Sequence, residues 1–385
     1  MKKIIKLENL IYLTVFALPV YLLQFNFFGV PMNGLDGLVV VCAIGWLIFY
    51  REKFEYKVFF EKYKAIIFSV GLIFLGLLGS IFMNKNYAVS FGIAKSWFLL
   101  PGLFSLIAGN VITKEKRKNI FLAYYGGAFL VAFSALGYYV FGSLTYDSRL
   151  QGFFNSPNYL AMCLAPAIFI GYGLFLEAEA KKRGLVIISG AVIFWALYLT
   201  YSYASWLAIF GSLGLIFALE KKVDWKKSLV GAFLLFILFF SQIEKNKLTD
   251  LVGLHSRSSF SSRVMIWQSA EKILQDNWFW GIGMGNFQEK YLEYQRYFPP
   301  YLEWAVPHPH NLYLAFWLYG GVFGLAGFFA LIGFWFRGIF QSQKNSQLKF
   351  IALGIMIYIL LHGLVDTTYF KNDLAVVFWL LFVLL

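Results

Sequence analysis

The pentapeptide Pro307-His308-Pro309-His310-Asn311 stands where a long polar segment gives way to a long apolar one. It holds two of the four histidines, and a neutral imidazole at such a boundary is suited to taking a proton. Pro309 fits the first position of a helix, where its missing N–H costs nothing. His310 is then expected in the first turn, near the positive end of the helix dipole. That field disfavours the imidazolium and keeps the ring able to accept a proton. The same helix face carries Tyr313, Leu314, Trp317, Gly321 and Gly324, and the two glycines let another helix approach closely. The plainer alternative is a histidine that only caps the helix. His308 and His310 also form a two-residue candidate for a metal. Two apart on a helix they face each other poorly and no third ligand is near, so no metal is expected.

Three cations stand out by their isolation. Arg263 begins a segment running to Leu274, for which Ser261 or Ser262 is the expected cap. Ile266, Trp267, Ala270, Ile273 and Leu274 give that segment one apolar face, and Arg263 sits on it. An arginine there either serves a site or snorkels to an interface. Arg149 is the sole cation between Tyr146 and Asn158, with Asp147 as its simplest partner. Lys95 lies in the middle of an apolar run, where a charge costs about 2.5–3.5 kcal/mol to insert and usually faces a cavity. Taken together, Lys95, Arg149 and Arg263 are expected to be fixed cations around His310 as a base. A diphosphate fits such a site. One cation–phosphate contact at about 4 Å is worth roughly 4 kcal/mol at an effective dielectric near 20 before desolvation is subtracted, so several are needed.

The elements that must position these residues are membrane helices. The chain has 385 residues, of which 60% are hydrophobic and only 14% charged. Apolar runs of about 17–25 residues recur, each long enough to cross the hydrocarbon core as a helix, whereas a barrel would show short alternating segments. The expected fold is an all-α polytopic membrane protein with twelve spans near 9–30, 34–50, 65–83, 87–112, 120–144, 158–178, 185–201, 203–219, 228–241, 309–336, 350–366 and 373–385. The N-terminal Met1-Lys2-Lys3 and its apolar run resemble a signal peptide, but no convincing cleavage site follows, and a retained first span is expected. Cys42 and Cys163 lie inside spans, so neither is expected in a disulfide or a metal site.

Orientation follows from the basic residues. With the N-terminus inside, 22 of the 33 Lys and Arg fall on inner segments, and the short outer loops carry only Lys85, Arg149 and Lys371. Both termini are therefore expected to be cytoplasmic, and the net charge of +13 reflects topology rather than nucleic-acid binding. The expected organisation is one integrated domain: a bundle over 1–241, an extracytoplasmic loop with an amphipathic helix over 242–308, and a second bundle over 309–385. Residues 242–307 hold seven cations and seven acids, so an anion site there must be built from particular side chains. Aromatic residues make up 21% of the chain, part of which is an interfacial belt. Trp267, Tyr313 and Trp317 are the rings near His310 suited to an acceptor or a sugar face.

Four segments in order resemble the O-antigen ligase and O-antigen polymerase family of bacterial envelope glycosyltransferases, over roughly residues 140–385. They are Arg149-Leu150-Gln151-Gly152-Phe153-Phe154-Asn155-Ser156-Pro157-Asn158, then Arg263-x-x-x-Trp267 with Trp280-Gly281-Ile282-Gly283-Met284-Gly285-Asn286-Phe287, then His310-Asn311-Leu312-Tyr313-Leu314 with Gly321 and Gly324-Leu325, and finally His362-Gly363-Leu364-Val365-Asp366 with Phe370-Lys371-Asn372-Asp373. Two positions depart from the family pattern: Tyr319 stands where a Glu is common, and Tyr203-Ala204 where Ser-Arg is common. No role is carried to either.

The resemblance implies a helical bundle with one large extracytoplasmic loop, similar to the glycosyltransferase C class, in the bacterial cytoplasmic membrane. It implies transfer of a glycan from an undecaprenyl diphosphate-linked donor to a hydroxyl on a glycan, lipid or protein acceptor, without metal or other cofactor. In that scheme Arg149 and Arg263 hold the diphosphate and His310 activates the acceptor; Lys95 is added from its position alone. Membrane lipids are the remaining expected partners, and nucleic acid is not. The competing expectations are a transporter or flippase of lipid-linked oligosaccharides, for which repeats and broken spans are the signature, and a non-catalytic assembly factor.

Overall fold

The computed structural model describes residues 6–27, 30–83, 87–219, 259–301, 303–341 and 346–384. The expected span at 228–241 and the first part of the polar segment, 242–258, lie outside the described residues, as do Lys2, Lys3 and Lys85. The rest is overwhelmingly helical. The helices are α1 (Leu7–Phe16), α2 (Gly34–Phe49), α3 (Tyr56–Met83), α4 (Tyr87–Ala94), α5 (Leu100–Val111), α6 (Arg117–Val140), α7 (Pro157–Glu177), α8 (Ala180–Tyr198) and α9 (Tyr203–Leu219), followed by α10 (Ser259–Asn277), α11 (Phe287–Tyr294), α12 (Leu312–Gln341), α13 (Ser346–His362) and α14 (Asn372–Leu380). Among the described residues, five helical stretches are long and apolar enough to cross a membrane: Tyr56–Met83, Tyr87–Val111, Lys114–Val140, Pro157–Glu177 and Leu312–Gln341. Their outer faces carry exposed Phe68, Leu75, Phe82, Phe133 and Phe329, as lipid contact requires.

The first expected span, 9–30, is not one helix. Helix α1 stops at Phe16, and a 3-10 turn over Leu18–Leu22 carries Pro19. Proline disfavours the helical region for the residue before it, so the chain turns there. An antiparallel hairpin follows, β1 (Gln24–Phe27) with β2 (Val30–Asn33), in the register Gln24 opposite Asn33 and Asn26 opposite Pro31. This is the only sheet among the described residues.

Helices α3 and α12 make the most extensive helix–helix contact among the described residues. Ser69, Ile73, Gly76 and Ser80 recur at helical spacing on the buried face of α3. A Cβ on Gly76 would collide with the backbone of Gly320 and Gly324, so the axes approach as closely as small residues permit. The Ser80 hydroxyl donates to the Tyr319 carbonyl at 2.7 Å.

Beside this crossing α12 is broken. Gly321 has φ +59°, a conformation glycine alone adopts cheaply. In an unbroken helix the Val322 N–H would bond the Leu318 carbonyl. Here the Ile282 N–H takes the Leu318 carbonyl at 2.6 Å, and the Val322 N–H donates to the Phe279 carbonyl at 3.0 Å. The segment after α10 thus satisfies both groups of the bond that the break removes, which is the condition for irregular backbone inside an apolar bundle. Gly321 serves this docking, not the helix–helix approach expected of it; Gly324 does meet α3.

A second irregularity joins α4 to α5 through a π turn over Lys95–Leu99. Pro101 has no N–H for the Trp97 carbonyl, and the Tyr369 hydroxyl donates to that carbonyl at 2.6 Å. The α13–α14 connection is thereby fixed against α4–α5.

Candidate active site

Asp366 lies in the turn after α13, with its side chain only 2% exposed. Its Oδ1 accepts the Thr367 N–H at 2.8 Å and meets His310 Nδ1 at 3.0 Å. Its Oδ2 is 3.5 Å from Arg263 Nη2 and 3.5 Å from Asn158 Nδ2. Burial alone would raise the pKa of this carboxyl; the His310 imidazole and the Arg263 guanidinium outweigh it and hold the group well below the usual carboxylate range. An ionised Asp366 can only accept, so Nδ1 carries a proton, and in the neutral ring Nε2 is then the nitrogen with the lone pair. This is the arrangement of a general base with an orienting carboxylate.

His310 is not in the first turn of α12. The helix starts at Leu312, and the cap is Asn311, whose Oδ1 accepts from the Tyr313 and Leu314 N–H groups at 3.0 Å each. Asn311 Nδ2 donates to the Leu364 carbonyl at 2.9 Å, and the Leu312 N–H to the Gly363 carbonyl at 2.7 Å. These bonds clamp the start of α12 to the turn that carries Asp366. His310 itself has φ +44°, a strained value for a residue with a side chain. Its carbonyl accepts the Trp267 indole N–H at 3.1 Å, so both ends of the residue are held. The neutrality of His310 expected from a helix dipole has no basis in a first-turn position; Asp366 now fixes the tautomer.

Arg263 is on α10, where Ile266, Ala270, Ile273 and Leu274 of the expected apolar face are buried together with Met265, while Trp267 is half-buried. The described helix runs from Ser259, so Ser261 and Ser262 lie within it rather than ahead of it. Arg263 Nε donates to the Val365 carbonyl at 2.8 Å, beside its contact with Asp366.

Arg149 reaches the same cluster through Asn158. Its Nη2 donates to Asn158 Oδ1 at 2.8 Å and its Nε to the Thr200 carbonyl at 2.8 Å, with Asp147 at 3.8 Å. Burial lowers the pKa of this guanidinium and Asp147 partly restores it. Asn158 sits in the first turn of α7, where Pro157 follows the capping Ser156. His310, Arg263 and Arg149 therefore converge on one carboxylate and one carboxamide.

Lys95 is placed elsewhere. Its Nζ meets Asp36 Oδ2 at 3.0 Å and donates to the Pro31 carbonyl at 2.6 Å. The two histidines of the pentapeptide also part company: His308 Nδ1 pairs with the Tyr319 hydroxyl at 3.0 Å and its ring packs 5.7 Å from Trp97. Burial, aided by the nearby His310, lowers the His308 pKa to about 4.

Trp267 and Trp317 line one cavity of about 440 Å³ together with Glu271, Gln275, Trp278 and Leu314. The Trp317 indole N–H donates to the Trp278 carbonyl at 2.8 Å. With both indole N–H groups engaged, these rings offer their faces to a ligand. Tyr313 is not part of that cavity; its hydroxyl donates to the Leu360 carbonyl at 2.9 Å and its ring stacks on Phe329. A larger apolar cavity of about 640 Å³ lies between α3, α5 and the C-terminal helix, apart from this cluster.

Asp366 and Asn158 are the members that reading single residues missed. An ionisable residue at the end of an apolar run was the available signal for Asp366.

The family model described as O-antigen ligase matches residues 188–329, a stretch that holds Arg263, Trp267, His310 and Trp317. Arg149, Asn158 and Asp366 lie outside it. No curated protein matches the chain.

Proposed function

We propose that this member of the O-antigen ligase and polymerase family moves a glycan from an undecaprenyl diphosphate-linked donor to an acceptor hydroxyl at the outer face of the cytoplasmic membrane. The observation that carries this reading is Asp366 joining His310 to Arg263, with Asn158 extending the contact to Arg149. The acceptor hydroxyl gives its proton to His310 Nε2 as its oxygen bonds to the anomeric carbon. The bond from that carbon to the diphosphate breaks, and both electrons leave with the phosphate. Asp366 stabilises the imidazolium formed, and Arg263 and Arg149 take the charge that develops on the departing diphosphate. A single displacement of this kind inverts the anomeric centre. The donor is already activated and its leaving group already anionic, so positioning and charge stabilisation suffice without a metal.

Trp267 and Trp317 then receive a sugar of donor or acceptor against their faces, and Tyr313, outside their cavity, is given no part in it. The acceptor is a glycan, a lipid or a protein. The distribution of basic residues supports an outward-facing His310 end of α12. Lys95 we leave to its pair with Asp36.

Replacing His310→Ala in cells that display the glycan tests this. The protein is expected to persist in the membrane while surface glycan is lost and lipid-linked donor accumulates. Undiminished display would remove His310 from the mechanism.

A further inference from the structure

Lys371 lies between α13 and α14 and is one of the few basic residues expected on the outer side. Its Nζ donates to the Tyr21 hydroxyl at 2.9 Å and stands 3.4 Å from the centre of the Tyr159 ring, with Tyr21 and Phe154 at 5.4 and 5.5 Å. Among the described residues no carboxylate oxygen comes within ion-pair distance of it. An ammonium has three N–H donors; one hydroxyl and one π face leave the third. Asp373 is close enough to act on Lys371 electrostatically, yet one of its carboxylate oxygens is buried without a donor. The fold therefore holds a half-buried cation in an aromatic cage apart from its own nearest acid, an arrangement that costs free energy unless an anion arrives.

The cage belongs to the cluster described above. Tyr159 follows Asn158, the residue that bridges Arg149 and Asp366. The charge of Lys371 is felt at His308, and that of Asp366 at Lys371. We propose that Lys371 is a further cation of the donor site, binding the diphosphate group alongside Arg149 and Arg263. The two guanidiniums fix its geometry by paired donors, while a flexible ammonium follows the charge as the diphosphate departs. This rests on the reading of the donor as a lipid diphosphate.

The test is calorimetric binding of inorganic pyrophosphate to the full-length protein in lipid nanodiscs. Lys371→Gln is expected to weaken binding by about tenfold or more, the effect of one charge-assisted hydrogen bond. Lys182→Gln, on an exposed helix start, is the unchanged control. Wild-type affinity in Lys371→Gln, with binding lost in Arg263→Gln, would overturn the role of Lys371 and leave the donor site standing. No binding by the wild type would overturn both. Should Lys371→Gln fail to fold, Tyr21→Phe decides. It frees one N–H of an intact Lys371 and is expected to tighten binding by roughly two- to threefold; unchanged or weaker binding counts against the proposal.

Discussion

Asp36 and Asp366 are both buried carboxylates that face cations, and they do different things. Asp36 meets the Lys95 ammonium and the Ser96 hydroxyl, and Lys95 completes its own shell with the Pro31 carbonyl. The result is a local pair that ties the hairpin and the start of α2 to the π turn. Asp366 instead joins the N–H of the next residue to an imidazole, a guanidinium and a carboxamide from three distant parts of the chain. One of those partners has a second ring nitrogen that can take up a proton. A charge in an apolar run does not by itself mark a site. What marks one is a partner set that includes a group able to gain or lose a proton.

The comparison breaks most visibly at Asp366. Asp366→Asn keeps the shape but offers an amide donor to His310 Nδ1, which favours the wrong tautomer. A loss of about 10³–10⁴-fold in the rate of glycan transfer is expected, as when the carboxylate of a catalytic triad is replaced in the same way. Arg263→Lys keeps the charge and removes the planar fork; transfer is expected to fall about 10- to 100-fold, read as kcat/KM for the donor. Lys95→Met acts on the other carboxylate. It leaves Asp36 buried and unpaired, so thermal unfolding should show a loss of about 3 kcal/mol while transfer per folded molecule stays within about twofold. Should Lys95→Met instead abolish donor binding in folded protein, the two carboxylates are not separate in function.

Smaller effects sharpen the picture. Trp317→Ala removes one ring of the cavity beside His310, and the KM for the saccharide partner is expected to rise about three- to tenfold with kcat little changed. His308 is held neutral by burial, with its pKa lowered to about 4. Its unfolded value is near 6.5, so the unfolded chain takes up a proton that the folded one refuses, and stability falls as pH drops from about 6.5 toward 4. His308→Gln is expected to flatten that part of the melting-temperature profile against pH.

The helices of this fold are legible in the sequence because apolar runs and basic loops are local signals. Arg149, Arg263 and His310 were legible by isolation and by motif. Asp366 stood in the closing motif without a role, because its partners lie 56, 103 and 208 residues away, and spacing says nothing about contacts at that range. The place of His310 was misjudged by a short distance with a large consequence: Asn311 outcompetes Pro309 for the helix start, because its side chain satisfies two N–H groups at once. The first expected span fails at Leu18-Pro19, where a local breaker sits inside an unbroken apolar run. The break at Gly321 depends on backbone partners from the segment after α10, and no pattern within α12 foretells it.

Single-turnover transfer by purified His310→Gln, with donor binding followed in parallel, tests the proposed pairing of base and diphosphate site most directly. Donor bound at near wild-type affinity with no glycan transferred is the expected result. Transfer at a rate within a few-fold of the wild type would contradict it.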